Sequence, residues 1–243
     1  MILGVIPARF ASTRFPGKPL ALVGGVPMVV RAMRRAEESG VFGQLVVATD
    51  DERIAAEVER FGGTAVMTSE HCPNGTMRCR EATLAIEAAG GAAPEAVVNI
   101  QGDEPFVHPD SLRTLAELIL RPGAAVATLA LPMAGEAVER TDPNRVKVVR
   151  DLHGHALYFS RSPVPSGEGP WLKHIGLYAF TRGALEALAH LHPTPLEQRE
   201  GLEQLRWLEH GWRIAVGITP HEAHGVDTPE DLERIHREHP HLL

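Results

Sequence analysis

Arg9, Arg14 and Lys18 follow the first apolar run, Ile2 to Pro7, on one short segment, with Ser12 and Thr13 between the arginines. Two planar guanidinium forks, a point charge and adjacent backbone N–H groups are equipment for gripping a polyphosphate. The segment is not a Gly-rich phosphate loop of the G-x-x-x-x-G-K-[ST] type, because Gly17-Lys18 runs into Pro19. The alternative is a solvated basic loop. Lysine occurs only at positions 18, 147 and 173 among 24 basic residues, which sets Lys18 apart from an arginine background.

Two acidic motifs offer a partner chemistry. In Gln101-Gly102-Asp103-Glu104-Pro105, carboxylates leave an apolar run at a glycine that permits close backbone approach. Alternation along extended chain points Gln101 and Asp103 the same way and turns Glu104 aside, so Asp103 is the better ligand for a hard cation such as Mg²⁺. Its other reading is an acid capping the next helix. In Gly225-Val226-Asp227-Thr228-Pro229-Glu230-Asp231, Asp227 could complete a metal site with Asp103, two carboxylates plus substrate phosphates being a usual Mg²⁺ donor set. Taken alone, Asp227 reads as a helix-capping acid.

These residues must be placed by alternating strands and helices. Apolar runs predict strands at Ile2 to Pro7, Leu45 to Thr49, Thr64 to Met67, Ala96 to Ile100 and Ala125 to Leu131. Helical spacing predicts Val29 to Glu38, a helix capped by Asp50 or Asp51 and running to Phe61, one over Thr76 to Ala89, and one from Pro109 to before Pro122. Further on, Val146 to Val149, Ala156 to Phe159, His174 to Phe180 and Arg213 to Thr219 read as strands. Arg182 to His190 and Pro195 to His210 read as helices, and Thr228-Pro229-Glu230-Asp231 is a strong helix start. The pattern predicts one doubly wound α/β domain over residues 1–243, mostly parallel, with helices on both faces and an antiparallel elaboration in the second half. Ligands of such sheets bind beyond the carboxyl ends of the strands, where the basic loop and the Asp103 turn both fall.

Composition sets the outer bounds. With 243 residues, 44% hydrophobic and 23% charged, the chain can bury a sizeable core. A net charge of -7 weighs against a nucleic-acid partner. The opening MILGVIPA is too short for a membrane span and lacks a small-residue cleavage site, so a cytoplasmic location is expected, with no membrane partner. Cys72 and Cys79 have neither zinc-site nor disulfide-framework spacing and read as small buried thiols.

Taken jointly, Ile6-Pro7-Ala8-Arg9, Ser12 to Leu20, Gln101 to Pro105 and Gly225 to Leu232 resemble the 3-deoxy-manno-octulosonate cytidylyltransferase (CMP-Kdo synthetase) family. Val146 to Val149, Ala156 to Arg161, His174 to Tyr178 and Leu202 to Arg206 fall in that family's order, so the resemblance spans the chain. It implies a Rossmann-like nucleotidyltransferase fold, usually homodimeric. The implied reaction joins CTP and the sugar acid Kdo with Mg²⁺ to give CMP-Kdo and pyrophosphate, supplying lipopolysaccharide synthesis. Arg9, Lys18, Asp103 and Asp227 would form the catalytic set, with Arg9, Arg14 and Lys18 on the triphosphate and Asp103 and Asp227 on magnesium. Pro7, Ala8, Gly75, Thr76 and Arg78 would face the nucleotide. Gln101, Arg161, His174, Tyr178, Glu203 and Gln204 would surround the sugar acid.

In-line attack of a sugar hydroxyl on the α-phosphate needs two anions oriented and developing negative charge absorbed. Metal activation of that hydroxyl, rather than a dedicated histidine base, is the expected mechanism. His221, His224, His236, His239 and His241 are expected on an exposed helix and tail. Departures from the family pattern are Asn74 in place of serine, Met77 in place of an acid, and a short loop from Ser162 to Pro170. Rival readings are a cytidylyltransferase for a related sugar acid and a nucleotide-binding sensor without turnover. A sugar-1-phosphate nucleotidylyltransferase is disfavoured because the first loop lacks Gly-x-Gly-Thr-Arg.

Overall fold

A computed structural model describes residues 1–11, 15–134 and 137–238. The chain divides into two compact units, Met1–Arg113 with Ala223–Leu243, and Thr114–Glu222.

The first unit opens with β1 (Ile2–Ala8), a short hairpin of β2 (Leu22–Val23) and β3 (Val26–Pro27), and α1 (Met28–Glu37). It continues through β4 (Gln44–Thr49), α2 (Glu52–Arg60), β5 (Ala65–Met67), α3 (Gly75–Ala88) and β6 (Ala96–Asn99). Its strands lie in the order β6-β1-β4-β5, all parallel, with Ile2 opposite Ala96, Leu3 opposite Gln44 and Val47 opposite Ala65. Apart from Pro7, every residue of β1 is buried, as expected of a parallel strand covered on both faces. Helix α1 buries Met28, Val29, Val30, Ala32, Met33 and Ala36, while Arg34 and Arg35 near its end suit the negative pole of its dipole. Of the two acids proposed to cap α2, Asp51 does so, its side chain accepting from the Arg53 N–H. The parallel ladder sets the carboxyl ends of β1, β4 and β6 along one edge.

The second unit follows α4 (Pro109–Ile119) with β7 (Val126–Met133), α5 (Ala137–Thr141), β8 (Lys147–Arg150), β9 (Ala156–Ser160) and β10 (Trp171–Thr181). Then come α6 (Arg182–Leu188), α7 (Pro195–Glu200), α8 (Glu203–Glu209) and β11 (Ile214–Ile218). Strand β7 pairs parallel with β11 and antiparallel with β10, and β8 and β9 form an antiparallel hairpin beside β10. This is the antiparallel elaboration anticipated for the second half. Strand β10 is bulged: the register with β7 slips between Ile175 and Tyr178. Lys147 is fully buried, donating to the carbonyls of Asp142 at 2.9 Å and Arg161 at 2.6 Å, so it ties β8 to the loop before it and to the end of β9.

Two expectations need correction. The single helix expected over Pro195 to His210 is two, because Gly201 takes φ 63° and ends α7 in the left-handed region. The apolar pattern continues through buried Leu202 and Leu205, which is why periodicity alone joins the two pieces. His221 and His224 lie ahead of the last helix and are partly buried; His239 and His241 lie outside the described residues.

The chain returns to the first unit with α9 (Pro229–Glu238). Thr228 caps it: its Oγ1 accepts from the Asp231 N–H, and Asp231 Oδ2 accepts from the N–H groups of Asp227 and Thr228. Val226 and Ile235 pack with Val23, Met28 and Phe106 in one buried cluster, which anchors the returning segment. Among the described residues, no helix is long and apolar enough to cross a membrane.

Candidate active site

A cavity of about 350 Å³ opens in the first unit at the carboxyl edge of its strands. One wall is Pro7, Ala8 and Arg9, where β1 ends. A second is Asn74, Gly75 and Arg78 at the start of α3, and a third is Gln101, Gly102 and Asp103, just beyond β6. Lys18 and Asp227 also line it. Gly102 is required there: a Cβ at that position would stand 2.7 Å from the Pro7 carbonyl oxygen. Glu104 is absent from the lining, in keeping with the alternation expected after β6.

Lys18 is drawn between two carboxylates. Its Nζ donates to Asp103 Oδ2 at 2.7 Å and Asp227 Oδ1 at 3.3 Å, with the lysine side chain 14% exposed. Asp227 reaches this point because the Val226 N–H donates to the Asp103 carbonyl at 2.9 Å, splicing the returning segment onto the Asp103 turn. The cap of α9 belongs to Thr228, so the helix-capping alternative for Asp227 does not hold. Asp231, which accepts the backbone N–H groups there, has its pKa lowered: its burial raises it, but the N–H donors and Arg234 outweigh that. Arg9 is exposed at the cavity mouth; Arg14 lies outside the described residues.

The positive end of α3 faces the cavity. Asn74 caps it, Oδ1 accepting from the Met77 N–H at 2.9 Å, so asparagine here does the capping that a serine does. Thr76 is buried in the first turn, and Gly75 opens the helix against Pro7 and Asn99. Arg78 is 3% exposed and braces the sheet, donating to Thr68 Oγ1 at 2.6 Å and Asp50 Oδ2 at 3.1 Å. Cys72, expected as a buried thiol, is partly exposed and lines the cavity; Cys79 is the buried one. The Cys72 Sγ–H donates to Glu81 Oε2 at 2.7 Å, and burial, then Glu81, pushes its pKa up to about 11, which keeps it a protonated wall rather than a nucleophile.

Of the residues expected around a sugar acid, Gln101 lies in this cavity, its Nε2 donating to Asn99 Oδ1 at 3.4 Å. The others belong to the second unit. His174 packs edge-on to Phe159 at 5.0 Å and beside Tyr178 at 5.4 Å between ring centroids, and burial pushes its pKa down to about 3. Tyr178 is buried with its hydroxyl unpartnered among the described residues, and burial with the nearby Glu203 charge raises its pKa well above the usual phenol range. Glu203 opens α8, next to buried Gln204. The Arg161 guanidinium donates to the carbonyls of Glu200 at 2.7 Å, Pro143 at 2.9 Å and Gly201 at 3.4 Å. Those bonds hold the end of β9 to the α7–α8 junction and to the loop before β8, so the guanidinium serves as a structural clamp in this state.

Comparison with known proteins fits this architecture. A family profile described as cytidylyltransferase matches residues 3–214. The chain belongs to the cytidylyltransferase family. Its relatives include the mitochondrial 3-deoxy-manno-octulosonate cytidylyltransferase of Arabidopsis thaliana, 43% identical over 96% of this chain and 81% of the relative. The protein of the same name from Bradyrhizobium sp. (strain ORS 278) is 48% identical over 97% of this chain and 96% of its own length. Among solved structures, CMP:2-keto-3-deoxy-manno-octonic acid synthetase complexed with CTP superposes with a TM-score of 0.90 at 37% identity, over 100% of this chain and 99% of that one. The cytidylyltransferase thus has the nucleotidyltransferase fold expected for it. Its Thr128, buried against His174, and its Asp50, bound to Arg78, carry no motif of their own; the one signal for Asp50 is its place at the end of a parallel strand.

Proposed function

We propose that this cytidylyltransferase transfers CMP from CTP to the anomeric hydroxyl of 3-deoxy-manno-octulosonate, releasing pyrophosphate. Full-length relatives named for that reaction support the reading, as does the triad of Lys18, Asp103 and Asp227 at the cavity. The family match runs from residue 3 to 214, through both compact units, which supports a single cytidylyltransferase domain. We read the working assembly as a homodimer; exposed Leu152 and Leu157, in and beside the β8–β9 turn, offer apolar surface for a partner copy.

In the reaction the sugar hydroxyl oxygen bonds to the α-phosphorus, its proton leaves, and the bond to the bridging oxygen of pyrophosphate breaks. Arg9, Arg14 and Lys18 bind the triphosphate and take up negative charge developing on the leaving pyrophosphate. The N–H groups at the start of α3 face the same cavity and favour an anion there. Pro7, Ala8, Gly75 and Thr76 offer backbone and short side chains to the base, while Arg78 keeps that wall fixed. On the sugar side we assign Gln101, His174, Tyr178, Glu203 and Gln204 to positioning the acceptor.

Asp103 and Asp227 fit Mg²⁺. They bring hard oxygen donors from separate segments to one cation, the Lys18 ammonium, and would hold Mg²⁺ together with oxygens of a substrate phosphate. When bound, magnesium lowers the pKa of the attacking hydroxyl and offsets charge on the α-phosphate. Lys18, released from the carboxylates, is then available to the phosphates. Incubation with CTP, Mg²⁺ and a panel of 2-keto-3-deoxy sugar acids, followed by pyrophosphate measurement, tests the assignment. Release is expected with the manno-octulosonate; CTP binding without release for any acid would instead identify a sensor.

A further inference from the structure

Thr128 on β7 is fully buried, and three groups compete for its hydroxyl. Its Oγ1 lies 2.8 Å from the Leu177 carbonyl, 3.2 Å from the Ile175 carbonyl and 2.9 Å from His174 Nε2. Both carbonyls belong to the β10 bulge, where the slip between Ile175 and Tyr178 turns them toward β7. A hydroxyl has one hydrogen, and a carbonyl can only accept. The hydrogen is therefore committed to the bulge, and the contact with His174 is satisfied in one way: the imidazole donates its Nε2–H to Oγ1. A neutral ring that carries its hydrogen on Nε2 has a bare lone pair on Nδ1.

We infer that Thr128 is a positioning residue: it pins the β10 bulge and locks His174 as the Nε2–H tautomer, so that Nδ1 serves as a hydrogen-bond acceptor for a hydroxyl of the bound acceptor. The inference rests on the sugar-side assignment of His174 for its ligand, though not for its tautomer. The surroundings agree: the ring beside His174, Tyr178, carries a buried hydroxyl with no partner among the described residues. The low basicity of His174 keeps Nδ1 unprotonated across the neutral range, so this nitrogen accepts from a ligand and does not donate to one. A neutral acceptor selects an O–H group and gives no attraction to a carboxylate. Strand β10 needs its bulge for this, since the slip is what supplies the two carbonyls that occupy the Thr128 hydrogen.

Nitrogen-15 NMR of histidine-labelled whole protein, with His174 assigned by its loss in His174→Gln, reads the tautomer directly. The expected wild-type spectrum has hydrogen on Nε2 and a bare Nδ1 at neutral pH; hydrogen on Nδ1 overturns the inference without any variant at position 128. Thr128→Val, which keeps shape and loses the hydroxyl, is expected to mix the tautomers and raise KM for the sugar acid about tenfold, the loss of one hydrogen bond, with KM for CTP unchanged. Thr128→Ser should restore both. A Val variant with wild-type tautomer and sugar KM would also overturn it. Absence of pyrophosphate from the wild-type protein with every sugar acid would defeat the proposed reaction, and the tautomer measurement would still decide the role of Thr128.

Discussion

The Lys18 ammonium lies 2.7 Å from Asp103 Oδ2, so the cation of the basic loop is held against a carboxylate assigned to magnesium. The triad with Asp227 carries two negative charges against one positive, and its members are partly open to water. Such a pair contributes under about 1 kcal/mol to folding, so its worth lies in placing charge rather than in stability.

Asp103→Asn should accordingly leave the fold intact and remove turnover. Pyrophosphate release is expected to fall by about a hundredfold or more, with an unchanged circular dichroism melt. Full activity of this variant in Mg²⁺ would refute the metal assignment.

Lys18→Ala should separate the two substrates. KM for CTP is expected to rise about tenfold or more while KM for the sugar acid stays near wild type, measured in initial-rate experiments with the other substrate saturating. A rise confined to the sugar acid would contradict the phosphate role.

Gly102→Ala places a methyl group 2.7 Å from the Pro7 carbonyl oxygen, in backbone that cannot yield like a flexible side chain. A stability loss of about 1–3 kcal/mol is expected in urea unfolding, together with weaker CTP binding, because β1 and the Asp103 turn must move apart. Retention of wild-type CTP affinity by calorimetry would show that the close approach does not shape the cavity.

Arg78→Met strands Asp50, which is 11% exposed and already has one oxygen without a partner. The expected loss is about 3 kcal/mol, and adding Asp50→Asn should recover a good part of it. Equal melting temperatures for the single and double variants would show that the buried ion pair is not the cause.

The His174 imidazole gives a pH signature. Unfolded, it takes a proton below its ordinary value of 6.5; folded, desolvation holds it neutral down to about 3. Its contribution is intact above pH 6.5 and is lost as pH falls toward 3, at up to about 1.4 kcal/mol per pH unit. Urea unfolding at pH 7 and pH 5 should show a steeper decline for wild type than for His174→Gln. Parallel declines would count against the burial of that ring.

The parallel strands and the Asp51 and Thr228 caps were legible because each is written locally, in apolar runs and capping residues. Asp103 and Asp227 could be paired only by asking what holds magnesium; the bond that joins them, from the Val226 N–H to the Asp103 carbonyl, has no sequence pattern. Arg161 shows the reverse problem. Its residue type suits a carboxylate ligand, yet its guanidinium is engaged by carbonyls from two other segments. Thr128 is one more polar residue in an apolar strand until the β10 bulge is seen. Gly201 ends a helix whose apolar period runs on regardless.

The first unit is interrupted by the whole of the second, and Lys18 and Asp227 stand 209 residues apart. On the ribosome, the basic loop and the Asp103 turn emerge and can fold together while the second carboxylate is still unmade. The walls of the cavity are thus made first, and the two carboxylates assigned to magnesium are brought together only when the returning segment docks through Val226.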